Sequence, residues 1–183
     1  MSSGKDPKLK VEISRIPDEG LVLEREDSPS LYELKEAGLI PSENVRLQGM
    51  VQKIREGAYL AARVSTALEL ECGRCLRPYP FQVQSDLRVF FVPESESSED
   101  HEVELTSEDL DTYFHDGKEI DIMAPVRDQI VMAVPIQPLC SPDCPGLCPV
   151  CGKDLRKKQC GCKPEEDIDP RLSVLKNLIK RKE

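Results

Sequence analysis

Eight cysteines fall into four close pairs: Cys72-Gly-Arg-Cys75, Cys140-Ser-Pro-Asp-Cys144, Cys148-Pro-Val-Cys151 and Cys160-Gly-Cys162. A two-residue turn points both sulfurs of a Cys-x-x-Cys pair at one metal, at about 2.3 Å each for zinc. Eight thiols at such spacing make two sets of four, and four thiolates fill a tetrahedral Zn2+. Cys148, Cys151, Cys160 and Cys162 are close enough in the chain for a local zinc ribbon. Pro149 shapes its first turn, and Gly152 lets backbone N–H groups approach the sulfurs. Cys72, Cys75, Cys140 and Cys144 would then staple distant parts of the fold. Spacing alone leaves a second partition open, with Cys140/Cys144 joined to Cys148/Cys151 and Cys72/Cys75 to Cys160/Cys162. The expectation is two structural Zn2+ sites and no catalytic residue.

Other chemistry lacks its signature. A catalytic zinc needs an open coordination position and usually a histidine or carboxylate. The only histidines, His101 and His115, have no ligand spacing and read as solvated loop residues. A thioredoxin-like site needs a helix after its cysteine pair. Leu76-Arg-Pro-Tyr-Pro80 follows Cys75, and its prolines oppose a helix. No glycine-rich phosphate loop and no nucleophile elbow is present.

The elements that must position the cysteines are mostly strands. Leu9, Val11 and Ile13 alternate, and residues 9–16 read as a strand that pairs with 21–23 across Pro17-Asp-Glu-Gly20. Ser30 is placed to cap a helix over 31–37, closed by Gly38. Three runs then keep a period of two: Val45, Leu47, Val51; Leu60, Val64, Leu68; Phe81, Val83, Leu87, Val89. They predict an antiparallel meander with one wet face, a first turn containing Gly57 and a second spanning 72–80. The first cysteine pair therefore sits at a hairpin tip.

Pro93 ends the meander. Residues 94–104 are rich in Ser and Glu, with too little apolar surface to fold alone. His115-Asp-Gly117 is a turn signal for a small hairpin. Asp121 looks like the cap of a helix through 134, with Ile122, Val126, Ile130 and Val134 on one face and Pro125 in the first turn. Asp169-Pro170 starts a second helix striped by Leu172, Leu175 and Ile179. The predicted class is α+β: a core over 1–139 with an acidic loop 94–121, a cysteine-rich segment 140–164, and a basic helix in 165–183.

Composition bounds the partners. The 183 residues carry a formal charge of -9, aromatics are 4%, and Trp is absent. That disfavours an aromatic platform for single strands and direct attraction to naked nucleic acid. The charge is segregated: 94–121 holds acids against Lys118 alone, while 152–183 is net basic. No apolar run suits a bilayer, and the first residues lack the apolar stretch of a signal peptide. A cytoplasmic setting is expected, where thiols stay reduced and favour metal over disulfides.

Three stretches resemble the YceD-like family of large ribosomal RNA subunit accumulation proteins. They are Glu69-Leu-Glu-Cys72-Gly-Arg-Cys75-Leu-Arg-Pro-Tyr79, the run from Val134 through the middle cysteines to Leu155, and Cys160-Gly-Cys162 followed by Asp169-Pro-Arg-Leu. The resemblance implies a bacterial or organellar factor that supports 23S ribosomal RNA accumulation, with no known catalytic activity. Three readings follow. The first is a non-enzymatic assembly factor whose acidic stretch engages a ribosomal protein or large-subunit precursor. The second is RNA binding through Arg156, Lys157, Lys158, Lys163, Lys176, Lys180, Arg181 and Lys182. The third is a zinc-dependent or thiol-redox enzyme. The first reading is preferred, with no membrane and no small-molecule substrate expected.

Overall fold

The computed structural model describes residues 9–55, 57–94, 111–157 and 160–162. Strand β1 is Lys10–Glu12, β2 Leu21–Asp27, β3 Ile40–Pro41, β4 Val45–Ile54, β5 Gly57–Glu71, β6 Pro78–Pro93, β7 Thr112–His115 and β8 Glu119–Asp121. Among the described residues one α-helix, α1, spans Met123–Met132. The main sheet has the order β2-β4-β5-β6-β7, with β3 also paired to β5, and β1 and β8 form a separate pair. The class is α+β, and β4, β5 and β6 make the expected antiparallel meander.

The alternating side chains dictate which face packs. Leu47 pairs with Val64 and Val51 with Leu60; Leu60 in turn pairs with Val89 and Ala62 with Leu87. All of these lie in the buried core. Ile122, just before α1, and Val126 and Ile130 within it cover that face and are fully buried. Each such side chain contributes about 1.5–3 kcal/mol by leaving water. The other face is wet, with Arg63 bonded to Asp86 at 2.9 Å.

Several local expectations are corrected. The strand at 9–16 shrinks to β1, and a 3-10 turn at Ile13–Arg15 follows it. The buried residues are Leu9, Ile13 and Ile16, a spacing of four then three that resembles a helix and not an alternation. β1 pairs with β8, while 21–23 lengthens into β2 and pairs with β4. The helix at 31–37 is a 3-10 turn, Pro29–Tyr32, stopped by Glu33 in the left-handed region at φ 50°. Ser30 does not cap it; its Oγ lies 2.8 Å from Ser28 Oγ.

Gly57 is the first residue of β5 and not part of the turn. A Cβ there would sit 1.9 Å from the Phe91 carbonyl oxygen, so only glycine allows β5 and β6 to close. The His115-Asp-Gly turn exists, but its flanking strands do not pair with each other: β7 joins β6 in parallel and β8 joins β1. His115 is therefore buried on β7, not solvated, and its Nδ1 accepts from the Gly117 N–H at 2.9 Å.

Asp121 serves α1 from outside the helix, its Oδ1 accepting the Met123 N–H at 2.9 Å. Val134 lies beyond the helix end. Most of the acidic stretch (95–110), His101 and the predicted terminal helix lie outside the described residues.

Candidate metal centres

The β5–β6 hairpin tip places Cys72 and Cys75, and the segment after α1 brings Cys140 and Cys144 against them. The sulfurs of these four lie within 4.8 Å of one another, as do those of Cys148, Cys151, Cys160 and Cys162. The cysteines thus gather as a long-range set and a local set. Cys72 Sγ is 3.9 Å from Cys144 Sγ, and Cys75 Sγ is 3.8 Å from Cys140 Sγ. The edge of a tetrahedron with 2.3 Å metal–sulfur bonds is about 3.8 Å. All eight residues are free thiols. Either set has the donors and spacing to hold a metal ion.

Both sets start from the same backbone knuckle. In the first, the Leu76 N–H donates to the Cys72 carbonyl at 2.9 Å, and the Cys72 N–H donates to the Arg77 carbonyl at 2.9 Å. In the second, Gly152 N–H donates to the Cys148 carbonyl and Cys148 N–H to the Lys153 carbonyl, each at 2.8 Å. The residue after each pair is left-handed: Gly152 at φ 67° and Leu76 at φ 55°. Glycine takes that conformation freely, whereas a leucine there is strained.

Backbone N–H dipoles point at the first sulfur of each set. The Cys140 N–H, helped by those of Cys75 and Arg74, pulls the Cys72 thiol down to about 6. The Cys151 N–H, with the Cys160 thiol and the Val150 N–H, does the same for Cys148, also to about 6. Burial pushes Cys140 up to about 12, and the neighbouring Cys151 thiol pushes Cys162 up to about 12. Each set therefore has one thiol favoured as a thiolate, Cys72 or Cys148, and one disfavoured, Cys140 or Cys162.

A low thiol pKa can also mark a nucleophile, but that requires access. Cys72 is 0% exposed and Cys148 5%. Both thiols have little access to solvent.

Second contacts knit the two sets together. Arg156 Nη1 reaches Cys140 Sγ at 3.5 Å. Arg74 Nη1 donates to the carbonyls of Cys144 at 3.0 Å and Pro142 at 3.3 Å, and Arg77 pairs with Asp154. The Leu147 N–H donates to the Arg74 carbonyl at 3.0 Å. Gly146 is required beside it, because a Cβ would lie 2.9 Å from that carbonyl oxygen. Sequence reasoning missed Arg74, Arg77 and Asp154, whose roles rest on long-range contacts. Arg156, expected as an RNA contact, is exposed and also reaches a sulfur. Lys157 is exposed, and Lys158, Lys163, Lys176, Lys180, Arg181 and Lys182 lie outside the described residues. The local set carries a single bridge, Leu147 to Asp154, and no ribbon hairpin among the described residues.

Comparison with known proteins places this arrangement. An uncharacterized protein of Mycobacterium tuberculosis is 34% identical over 130 residues, covering 70% of this chain. The chain spans 59% of that relative's length. YlbN of Bacillus subtilis, likewise uncharacterized, is 29% identical over 144 residues, covering 75% of each chain. The chloroplastic large ribosomal RNA subunit accumulation protein YCED homolog 1 of Zea mays is 27% identical over 170 residues, covering 80% of this chain and 57% of its own. No solved structure matches. Among the described residues no helix is long and apolar enough to cross a membrane. The model of the family described as large ribosomal RNA subunit accumulation protein YceD matches residues 60–179, a stretch that contains all eight cysteines, and the chain belongs to that family.

Proposed function

We propose that this chain is a non-catalytic factor that supports 23S ribosomal RNA accumulation during large-subunit assembly. Two structural zinc ions hold its shape, and it binds a basic ribosomal protein or a large-subunit precursor in a reducing cytoplasmic or plastid compartment. The observation that carries the reading is the pair of four-sulfur sets inside the family-matched region. Four sulfurs leave a tetrahedral ion no open position, so zinc there supplies cross-links and not a Lewis acid for substrate. Cys72, Cys75, Cys140 and Cys144 would hold one ion, and Cys148, Cys151, Cys160 and Cys162 the other. Tetrahedral sulfur sites suit zinc, and iron is the competing metal.

The excess of acid over base gives the partner its chemistry. A chain of formal charge -9 attracts basic protein and repels bare RNA. Zinc tetrathiolates add about -2 each and deepen that preference.

Native mass spectrometry combined with affinity capture tests the whole reading. Two zinc ions per chain and co-capture of large-subunit proteins or precursor RNA are expected. Iron in place of zinc, or capture that brings down no large-subunit component, overturns it.

A further inference from the structure

We propose that the free edge of β6 binds an extended, lysine- or arginine-rich peptide as an added strand. This deepens the reading of the chain as a factor for a basic partner, and rests on it.

The edge is unpaired over most of its length among the described residues. β5 pairs with β6 along 78–91 on one side. On the other side β7 covers only Phe90 to Pro93. Pro78 and Pro80 have no N–H to offer, so the usable edge is 81–89. Among the described residues no strand pairs with it. An unpaired edge is a row of donors and acceptors that fits another extended chain.

A groove lies along this edge. It measures about 500 Å³ between β6, the start of β7 and α1, and its walls include Asp86, Arg88, Asp111, Asp128, Val131 and Met132. Gln129 of α1 donates to Ser85 Oγ and sets the distance between helix and strand. Met132 is 71% exposed and Val131 38%, an apolar wall opposite a polar edge. Side chains of an added strand alternate. One set would lie against Asp128, Val131 and Met132, which share one face of α1, the other against Asp86 and Arg88 on the wet side of β6.

Charge selects the occupant. Asp86, Asp111 and Asp128 line the groove against Arg88, and Asp86 is also paired with Arg63, so three acids outnumber two bases and the groove is net negative by one. RNA is repelled, and a second copy of this edge brings the same carboxylates. Charges on an edge ordinarily deter self-pairing. Here the same charges attract a basic strand.

The test is a low-salt NMR titration of the zinc-loaded full chain with three ten-residue peptides. The first alternates Lys and Val, the second Glu and Val, and the third is the Lys/Val peptide with alternate backbone nitrogens methylated. Expected are amide shifts within 85–89, 111–113 and 128–132 for the first peptide alone. Affinity should fall about tenfold in the double variant Asp86→Asn, Asp128→Asn. Asparagine keeps an acceptor for Arg63 and for Tyr113, so the fold survives and a thermal melt verifies it. Shifts centred elsewhere, equal binding of the methylated peptide, or no binding at all would overturn the site. Capture of large-subunit components that is unchanged in the double variant also overturns the site while leaving the proposed function standing. Loss of capture from the unaltered chain overturns the function itself.

Discussion

The two sulfur sets have the same donors and the same starting knuckle, yet they hold different things. Cys72, Cys75 and Cys144 of the first set are buried and pack with Tyr79 and Leu139. Their contacts join residues 65 and 72 positions apart. Of the second set only Cys148 is buried, and Cys151 and Cys162 are exposed. Its members all lie within 148–162. A cross-link over the longer loop removes more freedom from the unfolded chain, by about 1.5 kcal/mol on loop-closure scaling. The difference teaches that the first set forms a small buried core of its own at the hairpin tip, joined to the core of the sheet through Tyr79. The second clips a short segment that has little apolar surface of its own.

Single serine substitutions break this comparison most directly. Cys72→Ser should remove one metal and destabilise the whole sheet by several kcal/mol, on the order of 3–5. Cys162→Ser should also remove one metal but shift the melting of the main sheet by less than about 3 °C. Thermal unfolding followed by the amides of β4, β5 and β6 reads the two outcomes. Equal losses in both variants would abolish the distinction between core and clip. Kinetics of metal removal give a second, smaller measure. With excess chelator the exposed second set should empty at least about ten times faster than the buried first set, because the chelator can reach its sulfurs. A metal-sensitive dye shows two phases if this holds and a single phase if it does not.

The knuckles invite a finer contrast. Leu76→Gly relieves a left-handed leucine and should stabilise by about 0.5–1 kcal/mol. Gly152→Ala puts a Cβ into the same conformation and should destabilise the second set by about 1 kcal/mol. Urea unfolding of the metal-loaded variants measures both. The same sign for the two changes would mean that the shared backbone pattern does not set the energetics.

How much of this was legible in the sequence depends on range. The meander was legible because Leu60, Val64 and Leu68, or Val83, Leu87 and Val89, carry a period that only a one-sided strand needs. The sets were legible because chelation imposes local spacing on each pair, although the partition between pairs required the fold. Short elements were not legible. β1 and β8 are three residues each and find each other across more than a hundred positions, which no local pattern encodes. Ile13 misled because its neighbours alternate while the buried residues follow a 3-10 turn. β7 was hidden because four residues of mixed character, Thr112 to His115, become a strand only by lying along the end of β6. Leu76 was opaque for the opposite reason: its conformation is set by the sulfurs and carbonyls around it and not by its own preference.

Protons supply the smallest and most general probe of the two sets. Cys72 and Cys148 each titrate near 6, below the ordinary value of 9.0, because N–H groups stabilise the thiolate. A lowered pKa in the folded state stabilises the metal-free fold above the unfolded value, and that contribution is lost as pH falls through about 6. At pH 7 Cys72 and Cys148 are therefore largely thiolate, while Cys140 and Cys162 remain protonated. Metal uptake should then release fewer than four protons per set. Near pH 5 the release should rise toward about four, and the affinity should fall. A pH indicator in weakly buffered solution counts them during a zinc titration. Release of four protons per set at pH 7 would mean that the knuckle N–H groups do not prepare the first ligand. If only the second set releases four, the burial of the first is what distinguishes them, even at the level of a single proton.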